Sequence, residues 1–203
     1  VGVQYGLAAF NAGTITFEPG GQIEYGSLAF DTASGLLAQM RLVDRYLREA
    51  ALESGLELLA VGIDPANALE AAPLQLRSSR SERMATHFER LGGAGGRMMR
   101  QTASLQIALD FEADPWPRWR QLNQLAPFLI AIFANSPRYA GRDTGHQSFR
   151  QDSWRRLDTG RTGIPFVADD PVQGYLDFAL GATPLLVDEL PDRPLSTMLD
   201  RGD

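Results

Sequence analysis

Residues 102–112 alternate in polarity, and this run constrains the fold more than any other part of the sequence. Apolar side chains occupy the odd positions from Ala103 to Phe111, and polar side chains occupy the even positions except at Ala108. A period of two places the two sets of side chains on opposite faces of a strand. The run therefore predicts an antiparallel strand with one face packed in a core and the other in water.

A second alternating run covers residues 14–25 and is interrupted by a Pro-Gly-Gly segment at residues 19–21. Those three residues predict a bulge or a tight bend. If the alternation continues through the bend, Glu18 and Glu24 lie on the same polar face. Two carboxylates on one face suit a divalent cation, because Mg²⁺ prefers hard oxygen ligands. Spacing alone favours the alternative, in which both are solvated acids on the outer face of a sheet.

Helical periodicity is clearest in residues 31–54, where Asp31 or Ser34 would cap the start and Gly55 would end the helix. The other predicted elements are helices at residues 81–91, 116–133, 148–157 and 171–180 and a short strand at residues 56–63. Glycines at residues 92–96 predict a helix C-cap and a flexible turn, because no Lys-Ser/Thr pair follows to complete a phosphate loop. Helices interspersed with antiparallel-type strands predict an α+β fold.

Composition narrows the function classes. The chain has 25 acidic and 19 basic residues, a net charge of −6, and no lysine. This balance argues against a general nucleic-acid footprint, and the lack of a long apolar run argues against a membrane span. Without cysteine, disulfides, thiolate metal sites and a Cys nucleophile are excluded, and a cytoplasmic location is expected. His87 and His146 each lack a second ligand at metal-binding spacing and are interpreted as surface or loop histidines.

Arg150 and Arg161 stand close to a glycine-rich turn, together with a Trp and several acids. Guanidinium groups in such a place suit the recognition of a carboxylate or a phosphate. Pairing with Asp152 and Asp158 along a helix is an equally good interpretation. Asp110, on the polar face of the first run, has the same two interpretations as the glutamates.

Four segments carry a resemblance to a known family. They are residues 18–24, residues 98–111, residues 131–137, and a block containing Ser148, Arg150, Trp154, Asp158, Arg161, Gly163, Pro165 and Phe166 that is followed by residues 175–180. In this order they resemble glutamate–cysteine ligase family 2, the plant and proteobacterial type, which includes related ligases of the ergothioneine pathway. The resemblance implies a glutamine-synthetase-like catalytic domain with a curved antiparallel sheet and helices packed on one face. Residues 1–203 would form one partial domain, with a polar tail from about residue 188.

The activity that the resemblance implies is the ATP-dependent joining of the γ-carboxylate of glutamate to the amine of cysteine, through a γ-glutamyl phosphate. It implies Mg²⁺ and ATP, small-molecule partners only, and a place in glutathione or ergothioneine biosynthesis. The residues it assigns are Glu18 and Glu24 for the metal, Gln106 and Asp110 for substrate binding, and Arg150 and Arg161 as catalytic residues that bind the substrate carboxylate or the transferring phosphoryl group.

Departures from the family pattern leave other functions open. Family members have Asn where this chain has Ala108, and an Arg-Tyr pair where it has Arg80 and Ser81. They are also longer and begin with an acidic strand that this sequence does not contain, so the chain looks like an internal fragment or a truncated member. These departures favour a non-catalytic relative that binds glutamate-like ligands or a partner protein. A ligase with another amine acceptor is the third possibility, because nothing identifies the acceptor pocket.

Overall fold

The computed structural model describes residues 13–90, 92–110, 113–163, 170–185 and 194–199. The strands are β1 (Thr14–Phe17), β2 (Ile23–Gly26), β3 (Arg138–Tyr139) and β4 (Arg142–Asp143). The helices are α1 (Ala33–Glu53), α2 (Ser79–Arg90), α3 (Gly93–Gln101), α4 (Trp116–Phe133), α5 (Phe149–Arg155), α6 (Thr159–Thr162), α7 (Pro171–Leu180) and α8 (Leu195–Leu199), with a 3₁₀ turn at Leu69–Ala71. The α+β class predicted from the sequence is confirmed.

The first hairpin joins β1 to β2 through a tight turn at residues 18–21, which is one of the two alternatives predicted for the Pro-Gly-Gly segment. Ile15 pairs with Tyr25 and Thr16 pairs with Glu24. Ile15 is buried against Val43 of α1, and Tyr25 packs against the same cluster. Because Ile15 and Tyr25 turn toward α1, their neighbours Thr16 and Glu24 lie on the opposite face of the hairpin.

Helix α1 begins and ends through local backbone chemistry. Thr32, rather than Asp31 or Ser34, is the N-cap, and its hydroxyl accepts a 3.2 Å hydrogen bond from the backbone N–H of Gly35. Gly55 follows the last turn with φ at +69°, a conformation in which glycine carries no steric cost. The predicted extent of this helix is confirmed.

The glycines at residues 92–96 begin helix α3, so the prediction of a C-cap with a flexible turn is wrong beyond Gly92. The reason is close packing. A Cβ at Gly95 would lie 2.2 Å from Cβ of Phe88, and one at Gly96 would lie 2.7 Å from a methyl group of Leu69. Glycine therefore lets α3 approach its neighbours. The main buried core forms here, from Phe88, Ala94, Met99 and Leu157.

The two predicted strands at residues 56–63 and 102–112 form a single isolated bridge, between Ile63 and Thr102. Residues 103–110 belong to no strand, and residues 111–112 lie outside the described residues. The exposed fractions of Leu105, Ile107 and Leu109 are 76%, 65% and 56%. In place of one curved sheet, the described residues form two separate two-stranded sheets.

The physical reason for this difference is that alternation encodes a face, not a partner. A strand needs a neighbour to take its backbone hydrogen bonds and a core to cover its apolar side. Among the described residues, no strand pairs with residues 103–110 and no core covers their apolar side chains.

Helix α4 also keeps apolar side chains at the surface. The exposed fractions of Leu125, Phe128 and Ile132 are 50%, 65% and 71%, and the helix contains no fully buried residue. Even so, neither α4 nor any other helix in the described ranges is both long enough and apolar enough to cross a membrane.

Candidate functional site

Glu18 and Glu24 meet on the polar face of the first hairpin. The protonated carboxyl group of Glu18 donates a hydrogen bond to Glu24, and the hydroxyl of Thr16 donates to Oε2 of Glu24 at 3.4 Å. Partial burial raises the pKa of Glu18, and the hydrogen bond to Glu24 and its negative charge raise it further, against the opposing charge of Arg80. Two carboxylates held this close favour a shared proton or a bound cation.

The turn that carries the two glutamates is fixed to the end of α3. A Cβ at Gly20 would lie 2.2 Å from the carbonyl oxygen of Arg100, so only glycine fits this contact. Gln22 donates a 3.1 Å hydrogen bond to the carbonyl oxygen of Thr102. The acidic pair is therefore placed by backbone packing and not by the hairpin alone.

A surface cavity of about 480 Å³ opens where α2, α3 and α5 meet. Its lining residues are Arg80, Met84, Phe88, Met98, Trp154, Leu157, Arg161, Thr162, Pro184 and Leu185. The walls are mostly apolar, and the charged groups are the guanidiniums of Arg80 and Arg161. Arg80 also lowers the pKa of Glu18 through its charge, so it links the cavity to the acidic pair.

Arg80 is a functional candidate that the sequence patterns do not reveal. In the sequence it is noticed only because it matches the arginine of the family's Arg-Tyr pair, in which Ser81 replaces the tyrosine. No spacing rule joins it to Glu18, because the two residues belong to different elements that meet through tertiary packing. The one signal in the sequence is an arginine shortly before a glycine-rich stretch.

Arg150 has the environment of an anion-binding group. It lies on α5, half-buried, and burial lowers its pKa. Its Nε atom is buried without a hydrogen-bond partner, and no carboxylate among the described residues lies within ion-pair distance. Its guanidinium stacks 5.4 Å from the centre of the Trp154 ring, whose Nε1 atom is also buried without a partner. Such donors suit a carboxylate or a phosphate, because an uncompensated buried charge is costly.

Arg161 is held differently. Its Nε atom donates a 2.8 Å hydrogen bond to Oδ2 of Asp158, and its Nη2 atom donates to the carbonyl oxygen of Thr183. Pairing along the helix, the alternative left open by the sequence, is therefore present for Arg161 and absent for Arg150. Arg161 still borders the cavity, with three further N–H groups beyond those two bonds.

Gln106 and Asp110 stand apart from these groups. Both side chains are exposed on the segment 103–110, and neither lines the cavity. The backbone carbonyl of Asp110 accepts a hydrogen bond from Arg118. The structure thus places Arg80 near Glu18 and Glu24, and it places Arg161 and the Trp154 partner of Arg150 around the cavity. The substrate role of Gln106 and Asp110 stays a prediction.

The donor set of the acidic pair fits magnesium. Within the described ranges, no group of three or more His, Cys, Asp or Glu side chains could hold a metal ion. Mg²⁺ needs no such group, because it commonly binds one or two carboxylates and completes its shell with water and phosphate oxygens. Glu18 and Glu24 match that requirement.

The family model of glutamate–cysteine ligase family 2 matches residues 2–187 of the chain. The chain belongs to this family. It is 34% identical over 172 residues to glutamate–cysteine ligase A, chloroplastic, of Oryza sativa subsp. japonica, a match that covers 82% of this chain and 35% of the relative. The corresponding enzymes of Nicotiana tabacum and Arabidopsis thaliana are each 34% identical over 172 residues, covering 82% of this chain and 33% of the relative.

The chain therefore spans about a third of the length of the curated relatives it matches. The region matched by the glutamate–cysteine ligase family includes both glutamates, Arg80 and both site arginines. All the residues of the candidate site therefore lie within the part of the chain that matches the family.

Proposed function

We propose that the chain carries the glutamate- and ATP-binding part of a ligase that joins the γ-carboxylate of glutamate to the amine of cysteine. The observation that carries the proposal is Arg150, a half-buried guanidinium with no acid partner among the described residues. It stacks on Trp154, which lines the cavity, and Arg80 lines the same cavity and acts on Glu18 through its charge. Membership of the family supports glutamate and cysteine as the substrates.

The proposed reaction has two steps. An oxygen of the γ-carboxylate attacks the terminal phosphorus of ATP, and ADP leaves with the electrons of the broken P–O bond. The amine nitrogen of cysteine then attacks the carbonyl carbon of the γ-glutamyl phosphate, phosphate leaves, and the amine loses a proton. Negative charge develops on the transferring phosphoryl oxygens in the first step and on phosphate in the second.

The described residues have separate roles in this chemistry. Arg150 binds the substrate carboxylate and orients glutamate. Arg80 and Arg161 present N–H donors to the anionic oxygens at the rim of the cavity. Glu18 and Glu24 would hold Mg²⁺, which neutralises phosphate charge when bound. The apolar walls formed by Met84, Phe88 and Met98 limit water around the reacting groups.

An experiment that traps the γ-glutamyl phosphate tests this function without requiring the natural amine acceptor. Hydroxylamine replaces cysteine in a reaction with glutamate and Mg²⁺-ATP, and the product is assayed as γ-glutamyl hydroxamate. The proposal predicts hydroxamate that requires both ATP and glutamate and is lost in Arg150→Met. Glutamate binding without hydroxamate would contradict a γ-glutamyl phosphate route.

A second candidate is a non-catalytic relative that binds glutamate. The exposed positions of Gln106 and Asp110, away from the cavity, favour it, because a working site would be expected to use them. In the trapping experiment this candidate gives glutamate binding that depends on Arg150 and no consumption of ATP.

A further inference from the structure

His87 belongs to a partly buried polar cluster that the sequence does not indicate. It lies on α2 with a side chain that is only 11% exposed, so it is not a surface histidine. Its Nε2 atom lies 3.4 Å from Oδ2 of Asp158, whose side chain is 23% exposed. The same carboxylate oxygen accepts the 2.8 Å hydrogen bond from Nε of Arg161.

The cluster continues into the wall of the cavity. Arg161 donates through Nη2 to the carbonyl oxygen of Thr183. Thr183 precedes Pro184 and Leu185, which line the cavity together with Arg161 itself. A continuous set of contacts therefore runs from His87 through Asp158 and Arg161 to the segment after α7.

We propose that His87 is a positioning residue, which fixes the carboxylate of Asp158 and through it the guanidinium of Arg161 at the rim of the cavity. An aspartate that accepts one bond is free to rotate about its terminal torsion, which is broad. A second donor from another helix restricts that rotation, and in a partly buried setting linked hydrogen bonds strengthen one another. The contacts among these three residues do not depend on the proposed function. Only the identity of the anion that Arg161 would bind rests on it.

The first test uses two variants that distinguish the packing of the His87 ring from the hydrogen bond that its N–H donates. His87→Phe keeps a ring of similar shape beside Phe88, with which His87 makes an edge contact at 5.2 Å. His87→Gln keeps an N–H donor without the ring. His146→Phe is the matched control, because His146 is exposed and stacks near Phe149, away from Asp158.

The readout is exchange of the Arg161 Nε–H proton with water, followed by nitrogen-edited NMR and assigned with Arg161→Lys. We expect His87→Phe to speed this exchange about tenfold, which is the effect of losing one hydrogen bond to a charged group. His87→Gln should stay within about threefold of the parent, and His146→Phe should leave the rate unchanged. Asp158→Asn, which weakens the shared acceptor, should give the same increase as His87→Phe.

Unchanged exchange in His87→Phe would overturn the inference, and so would equal increases in His87→Phe and His87→Gln, since only ring packing would then matter. Glutamate titrations of the same variants separate the two proposals. A parent chain that does not bind glutamate contradicts the proposed function, whereas the exchange rates still decide the role of His87.

Discussion

In its protonated form, the carboxyl group of Glu18 donates a hydrogen bond to the carboxylate of Glu24 across the turn between β1 and β2. The register pairs Glu24 with Thr16, and Glu18 follows Thr16 by one pleat, so both carboxylates emerge on the face opposite the α1 core. A cation bound between the two carboxylates would reduce the repulsion between their negative charges.

Replacing Glu24 with Gln should abolish Mg²⁺-dependent ATP turnover and leave the fold intact. The amide keeps the size of the side chain and removes one of the two carboxylates proposed to hold Mg²⁺. Phosphate release and circular dichroism measure the two effects. The control is Glu49→Gln on the exposed face of α1, and turnover that survives in the Glu24 variant would remove the proposed metal role.

The pH dependence of stability should report the raised pKa of Glu18. Its folded pKa lies above the ordinary value of 4.5, so the folded chain holds this proton more tightly than the unfolded chain. The free energy of unfolding should therefore fall, relative to Glu18→Gln, as pH rises from 4.5 through the raised pKa. Urea denaturation of both chains across that range measures the difference. A difference that is constant with pH, or that grows the other way, contradicts the coupling.

Arg150→Met should separate binding from stability. Removing a half-buried charge that has no acid partner among the described residues is expected to leave the free energy of unfolding unchanged or higher. Glutamate affinity should fall by at least about tenfold, because a charge-assisted bond is lost. Calorimetric titration and denaturation measure the two quantities, with the exposed Arg155→Met on the same helix as control. Equal glutamate affinity in the two variants would show that Arg150 is not the carboxylate ligand.

Gly95→Ala should destabilise the chain by about 1–3 kcal/mol, because the new methyl group meets Phe88 in a packed core. The methyl carbon of the alanine would lie 2.2 Å from Cβ of Phe88 unless the helices move apart. Gly93→Ala is the control on the same helix, since its nearest contact is the flexible end of Arg97 at 3.2 Å. Chemical denaturation compares the two, and similar losses would mean that helix approach does not depend on Gly95.

Patterns in the sequence predict those elements that are determined by residues close together in the chain. Helix α1 follows from its periodicity, and the shared face of Glu18 and Glu24 follows from alternation around a Pro-Gly-Gly turn. The prediction for the α3 glycines is wrong because their role is helix–helix approach, which composition does not distinguish from a flexible turn. The strand predicted at residues 102–112 does not form over residues 103–110, because alternation specifies faces but not a pairing partner.

Only part of the candidate site can be predicted from the sequence. Residue type and spacing make its glutamates and Arg150 candidates, and the resemblance to the family is what favours them over the solvated and ion-paired alternatives. Arg80 and His87 join it only through the tertiary fold, Arg80 by its charge acting on Glu18 and His87 by its contact with Asp158. Those interactions cross between separate elements, and no spacing rule in the sequence encodes them.

ADP release from Mg²⁺-ATP by the purified chain, with glutamate present and with cysteine added or withheld, tests the proposed ligase activity itself. The proposed ligase predicts release that depends on glutamate, increases with cysteine, and is accompanied by γ-glutamylcysteine in equal amount. ADP release that is indifferent to both amino acids, or its absence from a folded chain that binds glutamate and ATP, would contradict the account.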